Sequence, residues 1–196
     1  MHAPTTLDAF LEWEERQPAR YELVGGMVRM MSGGTEDHAR LTVNLIALLR
    51  DKLRAPPCHV HAANFKVVSR EAGASMYPEL FVRCGPRSGR RTRTEDAVVA
   101  FEVLSESTAK DDLTRKRRAY QAMPSMRLIV FVSQDEPRLD LVLRDAEGRW
   151  AEGEVVGLDS ALAIDALAIT LPMREIYEDT DVADAAAGRR DEEPLG

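Results

Sequence analysis

A single acid, Glu102, interrupts the otherwise apolar run Val98 to Leu104. The run is rich in β-branched and aromatic side chains and reads as a strand buried on both faces. A carboxylate is almost never fully buried unless it is paired or bound to a metal, so Glu102 requires a partner. The next residues offer one. Ser105 to Thr108 read as a turn, Ser107 or Thr108 can cap a helix, and Asp112, Lys116 and Tyr120 then recur at four-residue intervals along one helix face. A buried acid at a strand end and a lysine from the following helix can converge on one cleft. The plain structural alternative is a core acid satisfied by a base, a surface Asp112–Lys116 ion pair and a packed Tyr120.

A second acid, Glu79, follows Pro78 in MYPELFVRC. Proline is poorly tolerated inside a central strand, so it marks the strand start and sets Glu79 near one end of the sheet. Two acids on adjacent strands with a lysine nearby are what metal-assisted phosphodiester hydrolysis requires. Carboxylate oxygens hold magnesium or manganese, the metal polarises the phosphate and acidifies its water, and the lysine orients that water or neutralises developing charge. Glu22 lies between Tyr21 and Leu23 in a strand, and is either an outward-facing hairpin residue or a further acid of the site. His38 falls in the first turn of a helix, where it caps or faces solvent, or meets an anionic substrate at the positive helix end.

The elements that must position these residues are legible in order. LDAFLEWEER after Thr5 or Thr6 is a capped amphipathic helix with Leu7, Phe10, Leu11 and Trp13 toward the core. RYELVGGMVRMM is a hairpin turning at Gly25-Gly26. Leu41, Leu45, Leu48 and Leu49 mark a long helix from Glu36 to Leu53, closed by Pro56-Pro57. CHVHAANFKVV reads as one strand with an irregular middle, its His59 and His61 on an edge face. GPRSGRRTRTED is too polar and glycine-rich for regular structure. After the central helix, MRLIVFVS, LDLVLRD and RWAEGEVV form a meander, and LAIDALAITLPMREIYE adds a short strand with a helical turn after Pro172.

At 196 residues, 44% hydrophobic and 30% charged, the composition is that of one soluble domain, residues 1–179, with an acidic disordered tail, residues 180–196. No apolar run approaches a membrane span and no leader pattern opens the chain, so a cytoplasmic protein is expected. Cys58 and Cys84 make no CxxC pair and are too few for a disulfide framework, so they read as small buried hydrophobes in a reducing compartment. The formal charge of −7 argues against nucleic acid, yet acids outnumber bases seven to two from Glu178 onward. Bases bunch elsewhere, at Arg83, Arg87, Arg90, Arg91 and Arg93, and along the helix at Lys110, Arg115, Lys116, Arg117 and Arg118. Such runs are ordinarily solvated faces. The arginine loop is nevertheless expected to flank the cleft and hold a phosphate backbone. No glycine-rich phosphate loop or GxSxG turn is present, which weakens NTPase, dinucleotide and serine-hydrolase readings.

YELVGG, SGGTEDH, YPELFV, FEVLSESTAKDDLTRK and LPMREIYE together resemble, in order from about Thr6 to Asp179, the motifs of the Uma-two family of bacterial endonucleases. That family sits in the PD-(D/E)XK, or restriction-endonuclease-like, superfamily. The resemblance implies an α/β fold whose core is a mixed central sheet flanked by helices. It also implies a magnesium-dependent (or manganese-dependent) site cleaving DNA. The hydropathy speaks against a membrane partner, and a homodimer is left open. Position by position, Glu22 and His38 match accessory acid and histidine positions. Glu102 matches the acid of the second half-motif, and Lys116 a lysine moved from the strand to the next helix. Glu79 departs from the pattern, which has aspartate after proline. Its extra methylene shifts the carboxylate by about one bond length, against a metal that demands near-octahedral geometry. Three readings follow: a metal-dependent nuclease, a nucleic-acid-binding module that has lost turnover, and a protein whose carboxylates are structural.

Overall fold

A computed structural model describes residues 4, 6–31, 33–55, 57–62, 64–87, 89–104, 110–186 and 188, the side chains of 110–112 and 186 excepted. Its centre is a six-stranded mixed sheet. Helix α1 (Leu7–Glu14) precedes the hairpin β1 (Tyr21–Val24) and β2 (Met27–Met30), and α2 (Glu36–Lys52) leads to β3 (Cys58–Ala62). Strands β4 (Lys66–Ser69), β5 (Ala74–Met76), β6 (Leu80–Cys84), β7 (Arg93–Thr94) and β8 (Ala97–Val103) follow, then α3 (Lys110–Gln121). The meander β9 (Leu128–Val132), β10 (Arg138–Arg144) and β11 (Trp150–Val156) precedes the hairpin β12 (Ala161–Ile164) and β13 (Ile169–Pro172), and α4 (Met173–Ile176) and α5 (Asp181–Ala186) close the chain. The central order is β11-β10-β9-β8-β6-β3, and a second sheet runs β2-β1-β5-β4-β7.

Helix α3 is the crossover between β8 and β9, the parallel pair of the central sheet, so whatever β8 carries at its end is followed directly by α3. The two faces of the sheet bury different helices. Leu41, Leu45 and Leu49 of α2 pack on Leu80, Val82, Val99, Phe101 and Val130, together with the C-terminal hairpin. Ala119 and Tyr120 of α3, with Met123 just past its end, pack on Phe81, Ala100, Ile129 and Phe131, joined by Val24, Val67 and Met76 of the second sheet. Phe10 and Leu11 of α1 close a smaller cluster on Leu23 and Val68.

Several local readings change. CHVHAANFKVV is two strands in different sheets, because Phe65 N–H donates to Ala62 O and turns the chain out of β3. Within the arginine-rich loop, Arg93–Thr94 pair in parallel with β4. The expected single C-terminal strand is a hairpin, β12 with β13. Thr6 begins α1 without a side-chain cap. The tail expected to be disordered from residue 180 starts with a helical segment: Thr180 Oγ1 accepts from Ala183 N–H and opens α5, whose Val182 and Ala183 pack on the core. Ser105 to Thr108, with the proposed caps, lie outside the described residues.

The cysteines require a larger correction. Cys58 and Cys84 are register partners across the antiparallel β3–β6 pair, with Cα atoms 3.9 Å apart, and they form a disulfide. Counting cysteines and looking for CxxC cannot find such a pair. Residues 26 positions apart meet only when two strands align.

Candidate functional site

Glu102 is the penultimate residue of β8, and both of its oxygens are engaged. Tyr120 of α3 donates its hydroxyl to Oε1 at 2.6 Å, and Lys116 Nζ lies 3.0 Å from Oε2. Lys116 is one turn before Tyr120, so a single helix face delivers both donors. Asp112, the third residue of that expected face, has its side chain outside the described atoms.

Glu22 completes the group from the second sheet. Its Oε2 is 3.0 Å from Lys116 Nζ, and its Oε1 accepts the Tyr77 backbone N–H at 2.7 Å. The hairpin turn makes this approach possible. Gly25 and Gly26 both have positive φ, and a Cβ on Gly25 would stand 2.9 Å from Arg115 Cδ on α3. A bare backbone here lets the hairpin close on the helix that carries Lys116. Glu22 is therefore inward-facing, 8% exposed, and not an outer hairpin residue.

Glu79 and His38 form the other half. Pro78 and Glu79 precede β6, as the proline implies, and Glu79 sits one position beyond the last β6–β8 pair, Leu80 with Phe101. Antiparallel register thus brings residue 79 beside Glu102. His38 Nε2 lies 3.1 Å from Glu79 Oε1. Thr35 Oγ1 accepts the His38 backbone N–H and fixes the first turn of α2, and the ring packs so closely over Gly34 that a Cβ there would be 2.6 Å from His38 Cγ.

The electrostatics follow from this crowding. Burial raises the proton affinity of Glu102, Glu22 and Glu79 add to the rise, and Lys116 and Tyr120 oppose it; the result is raised to about 7. Burial alone would lower the Lys116 ammonium, but Glu102 and Glu22 outweigh it and hold the group charged, above its ordinary value. His38 is raised too, chiefly by its hydrogen bond to Glu79. Tyr120 is held well above the ordinary phenol range by burial and then by Glu102, so it stays a donor.

Glu22 and Glu102 thus both contact Lys116, and Glu79 with His38 borders them. Sequence reading assigned Tyr120 only to packing and gave the Tyr77 amide no role. Tyr120 was findable, since it shares the four-residue spacing of Lys116. A backbone N–H leaves no trace in residue type. The arginine loop is displaced from its expected place. It joins the far ends of β6 and β8, whereas Glu79 and Glu102 occupy the near ends. Arg83 is directed into an ion pair instead, with Nε and Nη2 at 2.8 and 2.6 Å from the two oxygens of Asp96. Among the described residues no three His, Cys, Asp or Glu side chains are grouped to hold a metal, His59 and His61 included.

A crystal structure described as "a putative nuclease belonging to DUF820" from Anabaena variabilis superposes with a TM-score of 0.74 at 12% identity, covering 89% of this chain and 98% of that one. The fold is therefore that of a protein described as a nuclease, an α/β mixed sheet flanked by helices. Two proteins of Synechocystis sp. are similar in sequence. One, named "Uncharacterized protein slr1290", is 30% identical over 145 residues, 73% of this chain and 76% of its own length. The other, "Uncharacterized protein sll1609", is 24% identical over 156 residues, 78% of this chain and 88% of its own. Residues 7–174 match the Uma2 family, described as "Putative restriction endonuclease", and the chain belongs to that family.

Proposed function

We propose that this protein is a metal-dependent endonuclease that hydrolyses DNA phosphodiester bonds at the cleft of Glu22, Glu79, Glu102, Lys116 and His38. The observation that carries the reading is the crowding of acids among the described residues: two buried carboxylates share Lys116, and a third, Glu79, stands beside them. Such a group favours a cation.

The donor set fits magnesium or manganese in kind. Both are hard ions that take carboxylate oxygens, and magnesium is commonly held by one or two carboxylates with waters and substrate phosphate completing its shell. Glu79 and Glu102 are the pair that would hold it. When bound, the ion polarises the phosphate and acidifies a coordinated water. The chain's own residues supply the rest. Lys116, clamped between Glu22 and Glu102, presents a fixed ammonium to the charge that develops on the phosphate. Tyr120 and the Tyr77 amide hold the two carboxylates in place, so neither must reorganise as that charge appears. His38 fixes Glu79 through Oε1.

A second reading, a binding module without turnover on the same fold, draws on Glu79 itself. It is longer by a methylene than the aspartate of the family pattern, and His38 holds one of its oxygens. Cleavage of supercoiled plasmid and of single-stranded, double-stranded and branched oligonucleotides, in magnesium, manganese or chelator, separates the two. The nuclease reading expects metal-dependent cleavage that Glu79→Asp improves. It fails if the wild type and Glu79→Asp are both inert on all substrates in both metals. Lys116→Ala should leave metal affinity nearly unchanged while lowering turnover.

A further inference from the structure

A cavity of about 680 Å³ lies away from the carboxylates, lined by residues of α1, β3, β4, β6 and the displaced arginine loop. Its position on the sheet is defined by strand parity. Phe81 and Ala100 face the α3 side, and Glu102, two residues beyond Ala100, points the same way toward Tyr120. Phe81 and Arg83 follow Glu79 at two-residue intervals, so the carboxylate end and the cavity lie along one strand face. Arg83 is about 13 Å further along the strand than Glu79. Tyr77 joins the two places: its amide holds Glu22, while its hydroxyl donates to Glu14 Oε1, on the cavity wall.

The lining combines rings with positive charge. His61 stands 5.2 Å, centroid to centroid, from both Phe65 and Phe81, and Phe65 lies 5.7 Å from Phe81. Phe81 is fully buried, whereas His61 and Phe65 are half-buried and line the cavity. Five cations line it against two carboxylates. Lys66 is matched by Glu14, and Arg83 by Asp96. Arg91 reaches only 4.0 Å from an Asp96 oxygen that Arg83 already holds, and Arg87 makes no ion pair among the described residues. Arg20 lies over the Tyr77 ring at 5.9 Å. His61 Nε2 is buried and has no hydrogen-bond partner among the described residues. Burial, then Arg83 and His59, lower the His61 proton affinity, so the neutral ring keeps a donor or acceptor to offer.

We propose that this cavity holds one nucleotide of a single-stranded nucleic-acid segment, its base against Phe65 and His61 and its phosphate on Arg87 and Arg91. Rings beside exposed arginines are the combination that binds single strands, stacking a base while neutralising the backbone. A simple inorganic anion would use the arginines and have no use for the rings. A duplex keeps its bases stacked inside and has none to insert. The proposal rests on the nucleic-acid reading of the carboxylate cleft, and it extends that site: a strand cut at Glu102 is held further along β6 by a base taken out of its stack.

The test is anisotropy of a fluorescein-labelled oligothymidylate and of a labelled duplex, in chelator, across a salt series. The wild type should prefer the single strand. Arg87→Ala with Arg91→Ala, at two exposed positions whose loss should leave the fold intact, should weaken single-strand binding about tenfold or more and lower the salt slope by about one to two. Phe65→Leu should weaken it by on the order of tenfold with the slope unchanged, because stacking releases no counterions. If the wild type binds DNA and the arginine variant binds equally well, the cavity assignment is overturned while the nuclease reading stands. Equal loss on single strand and duplex overturns the single-strand assignment. If the wild type binds neither oligonucleotide at any ionic strength, both readings fall together.

Discussion

Among the described residues, Lys66 and Lys116 are each largely enclosed against carboxylates, and they differ in how many they serve. Lys66 Nζ meets one, Glu14 Oε2, at 2.6 Å, and the other oxygen of Glu14 takes the Tyr77 hydroxyl at 3.0 Å. Charge is matched one to one, and α1 is fastened to the second sheet. Lys116 meets two, Glu22 and Glu102, each at 3.0 Å, with Glu79 beyond them. The first centre is complete as it stands. The second gathers more carboxylates than lysines among the described residues, in a place where water is largely excluded. Buried ion pairs seldom add net stability compared with a well-packed apolar core. The matched pair is intelligible as a structural fastening, whereas the unmatched group makes sense when a cation and a phosphate complete it.

The contrast breaks most clearly under deletion of one acid from each centre. Glu102→Ala should lower metal-dependent cleavage on the order of a thousandfold and leave the fold close to intact. Glu14→Gln should leave cleavage per folded molecule unchanged but cost about 3–5 kcal/mol of stability, by stranding a buried ammonium. Cleavage rates and denaturant unfolding on the same two variants decide it. Glu102→Ala cutting normally, or Glu14→Gln unfolding like the wild type, would erase the distinction.

Making the second centre resemble the first is a finer test. Glu22→Gln leaves Lys116 with Glu102 alone, and should weaken manganese binding about tenfold, of the order seen when groups around a metal site are altered. The metal-free protein should become more stable at the same time. Calorimetric titration and melting temperature should move in opposite directions; movement together would mean that Glu22 is merely structural.

A pH series reads the imbalance directly. Glu102 is held above its ordinary 4.5, to about 7, first by burial and then by its acidic neighbours. A carboxyl with a raised folded value binds its proton more tightly folded than unfolded. Its contribution to stability is present in full below about pH 4.5 and is lost as pH rises through about 7. In chelator the melting temperature should therefore fall by a few degrees from about pH 5 to about pH 7.5, and Glu102→Gln should flatten that fall. A wild-type profile as flat as the variant's would mean that Lys116 already balances the site.

The smallest effect concerns His38. A methyl group at Gly34 would meet the imidazole at 2.6 Å, so Gly34→Ala should push the ring off Glu79. Cleavage should drop a few-fold, about the scale of a small misplacement in a site, with the melting temperature nearly constant. Unchanged cleavage would remove His38 from the working group.

The sequence by itself determined the strand carrying Glu102, the helix face of Lys116 and Tyr120, the Gly25-Gly26 hairpin and the long helix beginning near His38. Each rests on short-range periodicity, proline or glycine, which act within a few residues. The resemblance of the ordered motifs extended that reading to the family and the fold. Tertiary structure decided what depends on pairing. Register across β3 and β6 joined Cys58 to Cys84. The antiparallel β6–β8 pair sent the arginine loop to the far end of the sheet from Glu79 and Glu102, away from the cleft it was expected to flank. Packing of the β1–β2 hairpin on α3 turned Glu22 inward, and only then did Lys116 acquire a second carboxylate. None of these could be read along the chain, because a strand's residue types state that it pairs and which faces it buries. Its partner and its alignment are fixed by the core that all the strands build together.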